Sequence, residues 1–235
     1  MKKAILYINQ FFGQIGGEAE AYQKPFIEQG ARGNAQAFVP LLEDAEIVAT
    51  IVCGDNYYAE NMDEVKAFVE AQITELSPDL IIAGPAFNAG RFGIACADIC
   101  KDAVQKMHVE AITGLYEENP AVEMYRKDIY ILKVGKSAAA MRKAVKLMAG
   151  FANKLLAGKE IGLPKEEGYY PKGKRVNVFR QKNGAERAMD MLLKKLKGEP
   201  YETELEISVY EKVKPAEGLD TLAGKKIALC TSGGI

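Results

Sequence analysis

The chain has 235 residues, with 31 lysines and arginines against 32 aspartates and glutamates, so its formal net charge is −1. That balance supplies no global positive field to hold a nucleic acid or an anionic membrane surface. Hydrophobic residues at 48% and charged residues at 27% exclude a disordered chain, a collagen and a disulfide miniprotein, and leave room for a full core.

After Met1 and two lysines comes Ala4-Ile5-Leu6-Tyr7-Ile8, but Asn9 and Gln10 end the apolar stretch too soon for the core of a signal peptide. Lys3 to Asn9 therefore reads as a first buried strand. Ala45 to Cys53, rich in Ile, Val and Thr and running into Gly54-Asp55-Asn56, reads as a second. Asp79 to Ala83, Val109 to Thr113 and Ile129 to Val134 repeat the pattern: short apolar runs without polar alternation, as in parallel strands covered on both faces. Apolar positions recurring at three and four predict helices over Met62 to Leu76, with Asn61 as N-cap, over Gly90 to Met107 and over Ser137 to Leu156. This alternation predicts an α/β fold: a doubly wound, mostly parallel sheet of about five strands with helices on both faces.

From Lys159 to Lys182 the texture changes. Gly162, Pro164, Gly168, Pro171 and Gly173 punctuate a charged stretch that predicts an extended connector without a regular element. Ala185 to Leu196 reads as a short amphipathic helix closed by Gly198 and Pro200, Tyr201 to Tyr210 as a half-exposed strand, and Pro215 to Gly224 as linker. Lys225 to Cys230 restates the pattern of Lys2 to Tyr7 and again leads into a loop with two adjacent glycines. The domain reading is thus an α/β substrate-site domain over 1–158, an extended C-terminal arm with a short helix and strand over 159–224, and the first strand of a truncated second α/β domain over 225–235. That last strand needs a partner to pair with. No apolar run approaches the roughly 20 residues of a membrane helix. Cys53, Cys96, Cys100 and Cys230 suit reduced thiols, so the expected location is cytoplasmic.

Ligands of open α/β sheets bind in the crevice outside the carboxyl ends of the strands. Four loops there are polar, aromatic and Gly-rich: Asn9 to Glu18, Gly54 to Tyr58, Gly84 to Arg91 and Gly114 to Pro120. In the first, Gly13, Gly16 and Gly17 lack the dinucleotide spacing and no P-loop Lys-Ser/Thr follows, so they read as permitting a tight left-handed turn. Gly54, Gly84 and Gly90 punctuate the next two. Asn88 and Arg91 at a helix N-terminus join free backbone N–H groups, the positive dipole end and a guanidinium into a receptor for a carboxylate or phosphate. The alternative is that Arg91 pairs with a nearby acid such as Asp55 or Glu117. Asn9, Asp55, Asn56, Asn88, Arg91, Tyr116 and Glu117 each follow a strand at its carboxyl end and are expected to converge on one crevice. Tyr57, Tyr58, Phe87, Phe92 and Tyr116 either line it, where aromatic faces suit an amine or quaternary ammonium, or pack in the core. Cys96 and Cys100 lie four apart with no further Cys or His at ligand spacing, so no metal site is expected. His108 falls at the opposite edge, and no nucleophile–base–acid constellation assigns a catalytic residue.

The strings Ile5-Leu6-Tyr7-Ile8-Asn9-Gln10-Phe11-Phe12-Gly13, Gly16-Gly17-Glu18, Cys53-Gly54-Asp55-Asn56-Tyr57 and Glu118-Asn119-Pro120 resemble the N-terminal half of the selenoprotein B subunit of glycine, sarcosine and betaine reductases. So do Ala83-Gly84-Pro85-Ala86-Phe87-Asn88-Ala89-Gly90-Arg91-Phe92-Gly93, Gly184-Ala185-Glu186-Arg187-Ala188 and Thr231-Ser232-Gly233-Gly234-Ile235. The resemblance implies a part in reductive cleavage of a C–N bond in a small amino-acid substrate, within amino-acid fermentation by anaerobes. It implies a pyruvoyl group on a partner subunit that activates the glycine nitrogen, and a selenocysteine on protein B that takes the carboxymethyl group. Selenoprotein A then receives that group, and protein C yields acetyl phosphate. The selenocysteine belongs to the C-terminal half, which this chain lacks, and none of its four cysteines replaces it by position. The chain is therefore expected to carry no cofactor of its own and to supply a wall of the substrate crevice and a docking face for the pyruvoyl subunit. It is expected to be oligomeric and inactive alone. Glycine, sarcosine and betaine are not separated by these residues. The competing class is a non-catalytic module holding a small anion or nucleotide at the same crevice.

Overall fold

The computed structural model describes residues 1–173, 179–204 and 212–228. Its contacts form two compact units, Met1–Arg175 and Val176–Ile235. The first holds six strands: β1 (Lys2–Asn9), β2 (Phe26–Gln29), β3 (Ala45–Cys53), β4 (Leu80–Phe87), β5 (Glu110–Leu115) and β6 (Tyr130–Lys133). They form one sheet in the order β2-β3-β1-β4-β5-β6, parallel throughout except that β2 runs antiparallel to β3. The five expected strands are all present and parallel. The sixth, β2, is a four-residue edge strand with no buried residue, too short and too polar to show a period.

The helices of this unit are α1 (Asp55–Glu60), α2 (Met62–Leu76), α3 (Gly90–Gln105), α4 (Pro120–Tyr125), α5 (Met141–Leu156) and α6 (Pro164–Glu167). The two-residue period of β1 sorts its side chains between two cores. Ile5 and Tyr7 face a cluster with Val65, Val69 and Ile73 of α2 and with Phe92, Cys96 and Ile99 of α3, whereas Ala4 and Leu6 face Val145, Met148 and Phe151 of α5. Each fully buried Ile, Leu or Phe contributes about 1.5–3 kcal/mol. The sheet is therefore covered on both faces, as a doubly wound fold requires.

Asn61 stands at the N-cap position of α2 as expected, but its side chain makes no capping hydrogen bond there. The helix α1 ends just before it, and Asn61 Nδ2 donates to the Tyr57 carbonyl at 3.1 Å, so its side chain closes α1. The stretch from Lys159 also holds more structure than its glycines and prolines suggest. Pro164 in the first turn, acids at Glu166 and Glu167 and a left-handed Gly168 make one turn of helix, α6. Beyond it Tyr169 bridges Leu132, Gly168 accepts from Lys133 N at 2.8 Å, and Tyr170 N donates to Ile131 at 2.9 Å. Tyr169 is buried against Tyr130 and Phe151. The chain up to Gly173 thus covers the β6 edge, which would otherwise present unpaired backbone groups.

In the second unit the expected helix is present as α7 (Gly184–Lys197). Asn183 and Glu186 cap each other's backbone N–H groups at 3.0 and 2.8 Å, and a left-handed Gly198 ends the helix. Tyr201 to Glu204 form no strand, and the rest of the strand expected up to Tyr210 lies outside the described residues. Of the expected strand from Lys225, the residues to Ala228 are irregular, and 229–230 lie outside the described residues. No helix among the described residues is long and apolar enough to cross a membrane.

Candidate functional site at the switch point of the sheet

From β1 the chain passes outward to β3, then returns to the other side of β1 as β4. The carboxyl ends of β1 and β4 therefore flank the switch point, where an open α/β sheet leaves its crevice. Asn9 ends β1 and Phe87 ends β4.

On one side, Asp55 opens α1. Its carboxylate accepts from Asn9 Nδ2 at 2.9 Å and from Gln10 Nε2 at 3.5 Å, while its own N–H donates to Gln10 Oε1 at 3.0 Å. Asn9 Oδ1 in turn accepts from Phe12 N at 3.0 Å, which fixes the amide's orientation. Asn9 and Gln10 are both buried. Burial raises the pKa of Asp55 above the usual aspartate value; the amides of Asn9 and Gln10 and the charge of Arg91 oppose the rise without cancelling it.

A raised folded-state pKa means that the native protein holds the proton more tightly than the unfolded chain, whose Asp titrates at about 3.9. Native stability is therefore lost through Asp55 as pH rises from that value through the folded one. Asp55→Asn is expected to gain stability relative to the unsubstituted protein across that window and to match it below. Urea unfolding of both proteins from roughly pH 3.5 to 7 checks this, and a relative loss for Asp55→Asn with rising pH would contradict it.

On the other side stands the start of α3. Its N-cap position is Ala89, so no side chain caps its first turn. Arg91 is exposed, and its guanidinium bonds Asn56 Oδ1 on α1 and Glu18 Oε1 at 2.7 Å in the loop after β1. The acid that pairs with Arg91 is thus Glu18, neither Asp55 nor Glu117. With side-chain exposures of 49% and 70%, this pair contributes about 0–1 kcal/mol and is readily exchanged.

The loop that carries Asn88 and Arg91 is held firmly. Phe87 has φ of 53°, a left-handed conformation costly for a non-glycine residue, and its carbonyl accepts from Tyr116 N at 3.0 Å and Asn119 Nδ2 at 3.1 Å. The same Nδ2 donates to the Ala89 carbonyl at 3.1 Å, and Asn119 Oδ1 caps α4 through Ala121 N. Asn88 is half-buried in this loop.

Asn9, Asp55, Asn56 and Arg91 are therefore linked directly or through one neighbour. Tyr116 and Glu117 are not: Tyr116 lies under Lys136, 5.6 Å from its ring centroid, and both sit near Tyr170, whose hydroxyl is held protonated by burial first and by the charge of Glu117 second. The aromatic residues mostly belong to the core. Tyr58, Phe87 and Phe92 are buried, and buried Tyr57 donates its hydroxyl to Glu64 at 2.8 Å. Phe11, 60% exposed and packed edge-on against Phe12, is an aromatic open to solvent in the loop after β1. In that loop the left-handed residue is Gln14 at φ of 56° rather than a glycine; Gly13 is needed for closeness, since a Cβ there would stand 2.7 Å from Val52.

Gln10, Glu18 and Asn119 were not singled out by sequence reasoning. Polar residues directly after an apolar strand, and an Asn-Pro pair before a helix, are the signals that mark Gln10 and Asn119. Cys53, Cys96 and Cys100 are buried thiols; burial pushes Cys53 up to about 12 and raises Cys96 and Cys100 as well, so none is a ready thiolate. No group of three His, Cys, Asp or Glu able to hold a metal occurs among the described residues.

A family model for glycine/sarcosine/betaine reductase selenoprotein B matches residues 1–235. The chain is 47% identical over 234 residues to a glycine reductase complex component B subunit gamma of Peptoclostridium acidaminophilum, covering 99% of the chain and 53% of the relative. It is 44% identical over 234 residues to a sarcosine reductase complex component B subunit beta of the same organism, covering 99% and 54%. With that organism's betaine reductase complex component B subunit beta it shares 45% over 237 residues, covering 100% and 54%. The chain spans about half the length of these curated relatives. No solved structure matches it.

Proposed function

Because the chain belongs to the glycine/sarcosine/betaine reductase selenoprotein B family, we propose that the crevice between β1 and β4 holds the amino-acid substrate of a reductase component during C–N bond cleavage. The observation that carries this reading is the juxtaposition of Arg91, at an uncapped helix start and loosely paired with Glu18, with the desolvated carboxylate of Asp55. A small amino acid carries the matching pair of charges. Its carboxylate displaces that of Glu18 and meets the guanidinium and the first N–H groups of α3. Its amine, methylated or not, faces Asp55 as a cation, and the exposed ring of Phe11 offers an aromatic face to added methyl groups.

The chemistry of cleavage lies outside this chain. The reading places it on a pyruvoyl group of the partner subunit and on a selenocysteine in the half that the longer relatives have in addition. The work of the described residues is to bind, to orient and to present the substrate to a partner docked at the carboxyl edge of the sheet, in a cytoplasmic complex that ends in acetyl phosphate.

The chain alone, mixed with the pyruvoyl-bearing subunit, selenoprotein A, protein C, a thiol reductant and glycine, sarcosine or betaine, is expected to form no acetyl phosphate. Sustained turnover abolished by Cys53→Ala or Cys230→Ala would overturn the assignment of this half as non-catalytic. The longer component, carrying the selenocysteine, is expected to restore turnover in the same mixture.

A further inference from the structure

Beneath the crevice lies a buried carboxylate that the proposed function does not use. Asp98, on α3, is 6% exposed. Its Oδ2 accepts from the Tyr58 hydroxyl of α1 at 2.8 Å and from Lys66 Nζ of α2 at 2.7 Å, and its charge, after burial, raises the pKa of Tyr125, the last residue of α4. One turn further along α3, Asp102 pairs with Lys66 at 3.3 Å and with Lys106 at 2.8 Å. Burial and the neighbouring Asp98 hold Tyr58 protonated, so it stands as a donor. Three helices, α1, α2 and α3, thus meet at one side chain, with the end of α4 nearby.

Helices α1, α3 and α4 start at the crevice. Asp55 opens α1 one turn before Tyr58; Arg91 lies seven residues before Asp98 on α3, about 10 Å along the axis; Asn119 caps α4 and clamps the Phe87 and Ala89 carbonyls. Packing alone does not call for an ion here, because apolar groups of the same shape fill such a space as well or better than a buried charge pair. What a carboxylate with directed donors adds is direction. Each helix is held at one rotation and one height relative to the others, and the residues at their starts inherit that placement.

We propose that Asp98 is a positioning residue that sets the spacing between Arg91 and Asp55 by joining α1, α2 and α3 below them. The relevance of that spacing to substrate rests on the function proposed above, whereas the spacing itself does not.

The test is Tyr58→Phe, which keeps the buried ring and removes a single donor, with Asp98→Asn beside it, which keeps an acceptor for Tyr58 and removes the charge facing Lys66. In the 235-residue chain, ¹H–¹⁵N spectra are expected to show the Arg91 Nε–H and Asn56 side-chain signals shifted or doubled in both variants, while signals of α5 on the opposite face stay in place. Unmoved Arg91 and Asn56 signals in both would overturn the proposal and leave the cluster a packing feature. In the assembled reductase component of the proposed function, Tyr58→Phe is expected to raise KM about five- to tenfold with kcat within twofold. Moved signals with unchanged KM would support the positioning role and count against the crevice as the substrate site, so the two readings fail separately.

Discussion

Under the proposed function, Arg91→Ala in the assembled reductase component is expected to raise the substrate KM roughly ten- to hundredfold, the scale of about 1.5–3 kcal/mol for a charge-assisted hydrogen bond. Under the proposed function the guanidinium holds the substrate carboxylate, away from the C–N bond to be cleaved, so kcat is expected to change much less. Glu18→Gln works in the opposite sense. It removes the carboxylate that occupies Arg91 in the free protein at 2.7 Å, and KM is expected to fall by a few fold, because the exposed pair contributes only about 0–1 kcal/mol. Arg91→Lys restores the charge but not the planar fork that spans Asn56 and a carboxylate together, so rescue is expected to be partial. An unchanged KM in Arg91→Ala would contradict the carboxylate receptor.

Gly54→Ala is expected to destabilise the fold by about 3 kcal/mol, at the upper end of overpacking effects. A Cβ at Gly54 would stand 2.2 Å from the Ala21 carbonyl oxygen and 2.7 Å from Gln23 N, and these backbone atoms have little freedom to retreat. Gly54 N donates to the Gln23 carbonyl at 2.8 Å, while Asn56 N and Tyr57 N donate to Ala21 at 2.9 and 3.0 Å. Shifting the 21–23 backbone therefore opens the first turn of α1, which carries Asp55. Gly90→Ala is the control: a Cβ at Gly90 would meet nothing within 4 Å and its φ is not left-handed, so the effect is expected to stay within about 0.5 kcal/mol. Urea unfolding separates the two, and similar midpoints for both variants would contradict the close approach at Gly54.

The parallel strands were legible because each is an apolar run of high β-propensity with both faces buried, and such runs stand out against a charged background. The short elements were not. β2 pairs only with β3 and gains its place from tertiary contact. α1 and α4 are six residues each, below the length at which a helical period declares itself. Of the site, the positions were legible and the partnerships were not. The rule that ligands bind at strand carboxyl ends selects Asn9, Asp55 and Arg91 from spacing alone. Which acid faces Arg91 depends on how the Gln10 to Glu20 loop folds back, and that is set by Asn9 Oδ1 holding Phe12 N and by Gly13 fitting against Val52. Likewise Tyr58 and Phe92 have the composition of a binding site but the burial of a core, which periodicity does not distinguish at a strand–helix junction.

The most direct test of the proposed crevice is a crystal structure of the reductase component that carries these residues, with the amino acid or betaine it is proposed to bind, before cleavage. The expected result is the carboxylate within hydrogen-bond distance of the Arg91 guanidinium and the first N–H groups of α3, with the Glu18 carboxylate displaced from Arg91 and the substrate nitrogen on the Asp55 side. A substrate seated away from the carboxyl ends of β1 and β4, with the Arg91–Glu18 pair intact, would contradict it.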